Sequence, residues 1–267
     1  MMLGQESHFY SKKKERNFVF LYSMLSILVV SGILIGLAYA ILFSRLFKVS
    51  SLKVEGIKLV SKEELLSSVE SYIISRGFVE SLLGPDNILF WKIGSGYIGF
   101  TPIIPSISYI SVDVNIKTKQ VTISVKERNM YGIWCVSENG CFAFDDAGVV
   151  FARAPVPEGV LVTRIENLNK REPVLGSLFL PDTEWIRNLF QTLYIVKKEG
   201  IPVSNVLIKD YGLKEWEIMS PLGFSIYASL DFVPQNLDSV LKNITAKVDL
   251  KNLSYMDFRI PNRLFYK

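Results

Sequence analysis

The chain has 267 residues, 49% of them apolar, and its 30 basic and 26 acidic residues leave a formal net charge of +4. This length can hold more than one domain. The near balance of charge, with neither a basic stripe nor a nucleic-acid motif, argues against nucleic-acid binding.

An uncharged run begins at Phe18 and ends at Phe43, and these two residues bound the predicted membrane anchor. Because a helix of about 20 apolar residues crosses the hydrocarbon core, the run is long enough to span a bilayer with tilt. We therefore predict a single-pass protein with a transmembrane helix over residues 18–43. One alternative is a cleaved secretory signal, since Ala38-Tyr39-Ala40 has the form of a cleavage site. The other is a buried helix of a soluble protein.

Basic residues flank the run on both sides, and they are most closely spaced in the tail 1–17, where four occur. These four are Lys12, Lys13, Lys14 and Arg16. The positive-inside tendency would hold this tail in the cytoplasm. We expect a protein of the cell (inner) membrane whose residues after the span lie outside the cytoplasm.

The sequence of residues 46–128 predicts a small α+β domain. Leu52 and Val54 alternate with charged residues, as in a strand with one buried face. Ser61 and Glu64 have the spacing of a capping box, so a helix should begin there. An irregular stretch and a short second helix are expected to follow.

A hairpin is expected to complete this domain, with a turn over residues 117–120. Six apolar residues alternate with polar ones on its two strands: Val112, Val114, Ile116, Val121, Ile123 and Val125. Period-two alternation should place all six on one buried face. A strand, two helices and a hairpin together indicate one sheet packed under helices.

The region 129–267 predicts a mostly antiparallel β domain with two helices. Asp145-Asp146-Ala147-Gly148 separates two apolar segments, which is typical of a turn between strands. One helix should begin after the N-cap Asp182 and stop at Gly200. A second is expected around residues 237–244. Further strands are predicted at 203–208, 215–219, 224–228, 255–260 and 264–267.

Cys135 and Cys141 are the only cysteines, and Asn139-Gly140 between them is a turn signal. They should therefore face each other across a hairpin, and an oxidising compartment would join them in a disulfide. The alternative is two free thiols packed as small apolar side chains. No metal site and no cofactor are expected, because two thiols need further ligands and the only histidine, His8, lies in the tail.

Five short motifs, in this order, resemble those of the FtsQ/DivIB family of bacterial division proteins. They are Leu52-Lys53-Val54-Glu55-Gly56, Asn87-Ile88-Leu89, Ile123-Ser124-Val125-Lys126-Glu127-Arg128 with Trp134, Phe144-Asp145-Asp146-Ala147-Gly148-Val149-Val150-Phe151, and Met256-Asp257-Phe258-Arg259. The first resembles the opening of the family's POTRA domain. The resemblance covers nearly the whole chain and implies a POTRA domain over 46–128 and an FtsQ-type β domain over 129–267.

The resemblance further implies a scaffold of the divisome. Such a protein recruits FtsB/FtsL-like bitopic proteins, and other division components, to the septal wall-synthesis complex. A chain that closes on an edge strand can accept a partner strand there. The candidate partner-binding residues are Arg259, Ile260, Asn262, Arg263, Leu264, Phe265 and Tyr266. The alternative is that Pro261, Arg263 and Lys267 blunt this edge and prevent pairing.

Two rival functions are a membrane-anchored wall enzyme and a ligand-binding module. Ser-x-x-Lys occurs three times, but never with the companion motifs that serine acyl transfer requires. Asp145 and Asp146 are expected to serve a turn rather than to act as paired carboxylates. A ligand-binding module would need a deep apolar pocket with convergent polar groups. We expect neither catalysis nor a small-molecule substrate.

Overall fold

The computed structural model describes residues 6–98, 104–136, 140–156, 162–168 and 172–267, with side chains described from Phe20 onward except at residues 97, 98 and 210. These residues form an α+β protein with six α-helices and two sheets. By its contacts the chain divides into two compact units. The first comprises Met1–Val54, Val69–Tyr97 and Ser111–Ile123, and the second comprises Glu55–Ser68, Ile98–Ile110 and Ser124–Lys267. The boundary expected between residues 128 and 129 stays a prediction.

Helix α1 covers Glu6–Phe43, and its segment Phe20–Phe43 is long and apolar enough to cross a membrane. None of the segment's apolar window is buried against the rest of the protein. Its serine hydroxyls donate to carbonyls of the preceding turn, as Ser31 Oγ does to Leu28 O at 2.9 Å. Because these hydroxyls are satisfied within the helix, they are compatible with a hydrocarbon environment. The expected long apolar N-terminal helix is present, and its role as a membrane anchor and its orientation stay predictions.

The first sheet has four strands in the order β1-β4-β3-β2. The elements are β1 (Ser51–Glu55), α2 (Lys62–Ser75), α3 (Phe78–Leu83), α4 (Ile88–Ile93), β2 (Gly96–Ile98), β3 (Ile107–Asn115) and β4 (Gln120–Glu127). Ser61 caps α2 as predicted, because its hydroxyl accepts a hydrogen bond from the Glu64 N–H at 3.1 Å. Helix α2 buries Leu65, Val69 and Ile73, which share one face at a spacing of four residues.

The β3–β4 turn differs from its prediction. Strand β3 ends at Asn115, whose side chain accepts a hydrogen bond from the Thr118 N–H at 3.2 Å. Lys119 has a positive φ of 54°, which lets the chain reverse there. The turn therefore occupies residues 116–119, one position earlier than expected. Ile116 leaves the strand and is 50% exposed, so its assignment to the buried face is wrong, whereas the other five residues of that set are buried.

The second sheet has nine strands in the order β13-β12-β11-β10-β9-β8-β5-β6-β7. They are β5 (Gly132–Val136), β6 (Gly140–Phe144), β7 (Val150–Ala154), β8 (Thr163–Asn167), β9 (Asn205–Asp210), β10 (Glu215–Met219), β11 (Ser225–Ser229), β12 (Tyr255–Asp257) and β13 (Phe265–Tyr266). Five neighbouring pairs are antiparallel, and three, β5–β8, β8–β9 and β11–β12, are parallel. The predicted mostly antiparallel sheet is confirmed.

The two expected helices of this region pack on one face of the nine-stranded sheet. They are α5 (Thr183–Lys198) and α6 (Leu237–Lys247). Asp182 caps α5 by accepting the Glu184 N–H at 2.7 Å. Apolar side chains of both helices form one buried cluster with strand residues that include Trp134, Trp216 and Met256. Because side chains alternate along a strand, the residues between these strand positions face the opposite side of the sheet.

Candidate functional site at the open edge of the second sheet

Strand β13 is the edge strand of the nine-stranded sheet and pairs only with β12. Lys267 N–H donates to Tyr255 O at 3.3 Å, and Tyr255 N–H donates to Lys267 O at 3.4 Å. Hydrogen-bonded and non-hydrogen-bonded pairs alternate along an antiparallel ladder. The next pair, Tyr266 opposite Met256, is therefore non-hydrogen-bonded. It follows that the N–H and C=O of Tyr266 point outward, away from β12.

A tight turn leads into this edge strand. Arg263 N–H donates to Ile260 O at 3.2 Å, and Asn262 has a positive φ of 61°. Proline at the second position and positive φ at the third are the signature of a type II turn. Ile260, Asn262 and Arg263, which the sequence assigned to partner binding, are all exposed in this turn. Pro261 lies in the turn and not in β13, so it removes no N–H donor from the strand.

A groove of about 360 Å³ lies beside the edge, between this turn and the start of α6. It is lined by Pro234, Gln235, Asn236, Val240, Phe258, Ile260, Asn262, Arg263 and Leu264. Leu264 packs against the core cluster, and Phe258 belongs to it. Sequence reasoning did not find the wall formed by residues 234–240, because only the folded chain brings it against residues 258–264.

The face of the sheet away from the helices carries a different surface. Phe265 is opposite Asp257, which is opposite Tyr227 on the next strand. Arg259 donates to Asp257 Oδ1 at 2.9 Å and to Glu215 Oε2 at 2.8 Å, and its guanidinium lies 5.1 Å from the centre of the Tyr227 ring. These hydrogen bonds lower the pKa of Asp257 and raise that of Arg259. Arg259 therefore connects β12 with β10 on this face of the sheet, beside Phe265.

Two further charges on this face, Lys209 and Glu217, are paired with each other. Glu217 accepts hydrogen bonds from Ser225 Oγ at 2.6 Å and Lys209 Nζ at 2.9 Å. Burial raises the pKa of Glu217, but these two donors outweigh it, so the pKa is lowered. The hydrogen bond and the charge of Glu217 raise the pKa of Lys209. The cavity that Lys209 and Glu217 line with Arg259 is small, about 110 Å³.

The opposite edge strand of the sheet is β7, and its first residue already pairs with another segment of the protein. Val150 N–H donates to Ser177 O at 2.8 Å, and Gly176 N–H donates to Val150 O at 2.7 Å. Both backbone groups of Val150 are thus satisfied by residues 176–177. The two edges of this sheet therefore differ in what remains open for pairing.

The two cysteines are joined in a disulfide, with their Cα atoms 4.1 Å apart, and are opposite each other on β5 and β6. Asn139 of the expected turn lies outside the described residues. Five strands lie between β5 and β13, so the disulfide and the open edge are separate features. Phe18 and Phe43, which bound the predicted anchor, belong to α1.

The charged residues of the central motifs have structural partners. Asp145 forms an ion pair with Arg128, and its Oδ1 accepts the N–H of Ala147 at 3.0 Å and of Val149 at 2.8 Å. Asp145 therefore serves the turn, whereas Asp146 is exposed. In the described part of the chain, no group of three His, Cys, Asp or Glu residues could hold a metal ion.

Glu127, beside Arg128, closes the loop that follows β1. Its carboxylate accepts the N–H groups of Lys58, Leu59 and Val60 at 2.8 to 3.1 Å. Burial raises the pKa of Glu127, but the three backbone donors and the charge of Lys58 outweigh it and lower the pKa. The adjacent residues Glu127 and Arg128 thus join two separate loops to the end of β4.

A scan against protein-family models finds no match to this chain, and a search of curated proteins finds none either.

Proposed function

We propose that the protein is a membrane-anchored scaffold that captures a second polypeptide as an added strand beside β13. The observation that carries this proposal is the outward direction of the Tyr266 N–H and C=O on an edge strand. Unpaired backbone groups on a sheet edge are a template for another strand, and main-chain hydrogen bonds then supply affinity.

Side chains on the two faces of the edge would supply specificity. Alternate side chains of an added strand point to opposite faces. On the helix side they would meet the groove beside Leu264, and on the other side they would meet exposed Phe265. Apolar side chains at alternating positions are therefore the expected signature of the partner segment.

The alternative that this edge is blunted against pairing is less well supported. Pro261 precedes the strand, and the exposed charges of Arg263 and Lys267 lie at its two ends rather than within it. At the β7 edge, by contrast, the protein's own backbone occupies Val150. Because the β7 edge is occupied at Val150 and the β13 edge is open at Tyr266, strand addition is favoured at β13.

The chain has a long apolar helix first, then the four-stranded sheet with its helices, then the nine-stranded sheet. This order favours a division scaffold similar to FtsQ/DivIB. In this proposal the region 46–128 is a POTRA domain, to which β2 adds a short edge strand, and the region 129–267 is the β domain. The partners are FtsB/FtsL-like bitopic proteins and other divisome components. The tail is cytoplasmic, and both domains lie outside the cytoplasm, at the septal wall-synthesis complex.

The test removes one outward hydrogen-bond donor from the backbone. Tyr266→Pro deletes the outward N–H, whereas the matched control Tyr266→Ala deletes the side chain and keeps that N–H. The full-length chain is co-expressed with the FtsB-like and FtsL-like proteins of the same organism, extracted in detergent, and the dissociation constant is measured. One lost backbone hydrogen bond of about 1.4 kcal/mol weakens binding about tenfold.

We expect Tyr266→Pro to bind about tenfold more weakly than Tyr266→Ala. Equal binding by the two variants would overturn strand addition at this edge. Wild-type protein that captures neither bitopic protein would overturn the division-scaffold proposal. A fluorescent fusion gives a second readout, since the scaffold should collect at the division site.

A further inference from the structure

Helix α3 exposes an unusual amount of apolar surface for so short an element. Phe78 is 80% exposed, Val79 56% and Leu82 55%, and no residue of α3 is buried. Adjacent exposed apolar side chains of this size mark a surface that contacts another apolar phase. The hydrogen bonds of the segment that follows α3 indicate that this phase is lipid.

The segment that follows α3 is bound directly to the end of the membrane-spanning helix. Asn87 Nδ2 donates to Ile41 O at 2.9 Å, and Val49 N–H donates to Asp86 O at 2.9 Å. Ile41 lies two residues before the end of α1 at Phe43. Residues 86–87 are therefore held where the span leaves the hydrocarbon core, and Leu82 lies only five residues before Asn87.

A second segment is hydrogen-bonded to the residues that directly follow α1. Lys119 Nζ donates to Arg45 O at 3.1 Å, and Ser50 N–H donates to Lys119 O at 2.9 Å. This is the β3–β4 turn in which Ile116 is exposed instead of joining the core. Two separate segments near the end of α1 thus carry exposed apolar side chains.

We propose that the apolar surface of α3, formed by Phe78, Val79 and Leu82, rests in the interfacial layer of the bilayer that α1 crosses, together with the exposed side chain of Ile116, and that the Asn87–Ile41 hydrogen bond holds α3 there. The occupant of the surface is lipid. An apolar face at the headgroup boundary is stabilised by burial among acyl chains. This proposal depends on α1 spanning a membrane and does not depend on partner capture at β13.

The residues at the end of α1 and directly after it are aromatic and basic, as is typical of residues at a membrane surface. Tyr39 and Phe43 pack together in the last turns of α1, with ring centres 4.9 Å apart. Aromatic rings concentrate at the headgroup level of a bilayer. Arg45 and Lys48 follow at once and are exposed, so they can reach lipid phosphates.

The test measures the depth of single side chains in a bilayer. Because both cysteines of the chain are in the disulfide, a newly introduced cysteine is the only site for a nitroxide label. The full chain is reconstituted in vesicles of phosphatidylethanolamine and phosphatidylglycerol with Val79→Cys or Leu82→Cys. Matched controls are Leu213→Cys and Tyr194→Cys, equally exposed positions in the second unit. Collisions with oxygen, which partitions into lipid, are compared with collisions with a water-soluble nickel chelate.

We expect the oxygen-to-nickel ratio to be severalfold higher at positions 79 and 82 than at positions 213 and 194. Equal ratios would overturn the proposal and would indicate that a protein partner or water covers α3. The variant Asn87→Asp, combined with each label, tests the hydrogen bond to Ile41. It retains the oxygen that caps α4 by accepting the Leu89 N–H, and it loses the Nδ2 donor. We expect its ratios to fall towards the control values, and unchanged ratios would overturn the role of Asn87.

Discussion

Arg128 and Asp145 form a buried ion pair that joins the end of β4 to the turn between β6 and β7. Their side chains are only 7% and 6% exposed. Arg128 Nε also donates to Pro105 O at 3.0 Å, and Asp145 holds its own turn through two backbone N–H groups. Each charge is therefore satisfied by the other and by backbone groups, as a buried ion requires.

Removing one member of this pair should destabilise the protein strongly. Asp145→Asn keeps the shape of the side chain but leaves the Arg128 charge buried without its counter-ion. We expect the free energy of unfolding to fall by about 3 kcal/mol. Urea unfolding of the detergent-solubilised chain, followed by tryptophan fluorescence, measures this loss.

An exposed ion pair provides the matched control. Arg153 and Glu172 are 3.1 Å apart with side chains 73% and 49% exposed. Arg153→Ala should cost less than about 1 kcal/mol, because water screens the pair and solvates the remaining charge. If Asp145→Asn proved as mild as Arg153→Ala, the buried pair would not have the structural role assigned to it.

The stability contributed by Glu127 should depend on pH. Its pKa is lowered in the folded state from an ordinary value of 4.5, so its contribution is complete above that value and is lost as the pH falls through the lower, folded pKa. At pH 7, Glu127→Gln should cost about 1 kcal/mol, because the carboxylate is partly exposed. The urea midpoints of the two proteins should converge as the pH falls below the lowered pKa of Glu127 in the folded state, and a difference that stays constant from pH 7 into the acid range would contradict the assignment.

Gly56 should not tolerate a side chain. Its φ is +89°, and a Cβ atom there would lie 1.9 Å from Val125 O, which belongs to the strand that Glu127 ends. Gly56→Ala should therefore destabilise the protein by about 3 kcal/mol or more, since backbone must move. Gly84 also has a positive φ, +70°, but its Cβ would meet nothing within 4 Å. Gly84 has ψ 165°, a combination that only glycine adopts readily, so Gly84→Ala should cost about 2 kcal/mol from backbone strain alone, less than Gly56→Ala in the same unfolding assay.

The disulfide should contribute to stability without affecting the open edge. It closes a short loop between residues six positions apart, for which chain entropy predicts about 2 kcal/mol. The double variant Cys135→Ala/Cys141→Ala should lose about that amount. Its affinity for the proposed bitopic partners should equal that of wild type, because five strands separate β5 from β13. A large loss of affinity in a folded double variant would show that the two regions are coupled.

Elements whose signal is local could be predicted from the sequence. The uncharged run that ends at Phe43, the Ser61 cap of α2 and the Asp182 cap of α5 depend on residues a few positions apart. Strand β10 was predicted at its observed bounds because alternation and turn residues delimit it. Strand β8 was missed, because Ile165 is its only apolar residue and its pairing with β5 and β9 leaves no pattern in its own sequence.

The sequence by itself determined where the long apolar N-terminal helix, the capped helices and most strands lie, because periodicity, capping and turn chemistry act over a few residues. The tertiary structure alone decided that β13 is an edge with the Tyr266 backbone groups outward, that residues 234–240 form the wall of a groove beside it, and that Arg128 meets Asp145. These relationships join residues far apart in the chain, and strand order and packing, which no local pattern encodes, bring them together.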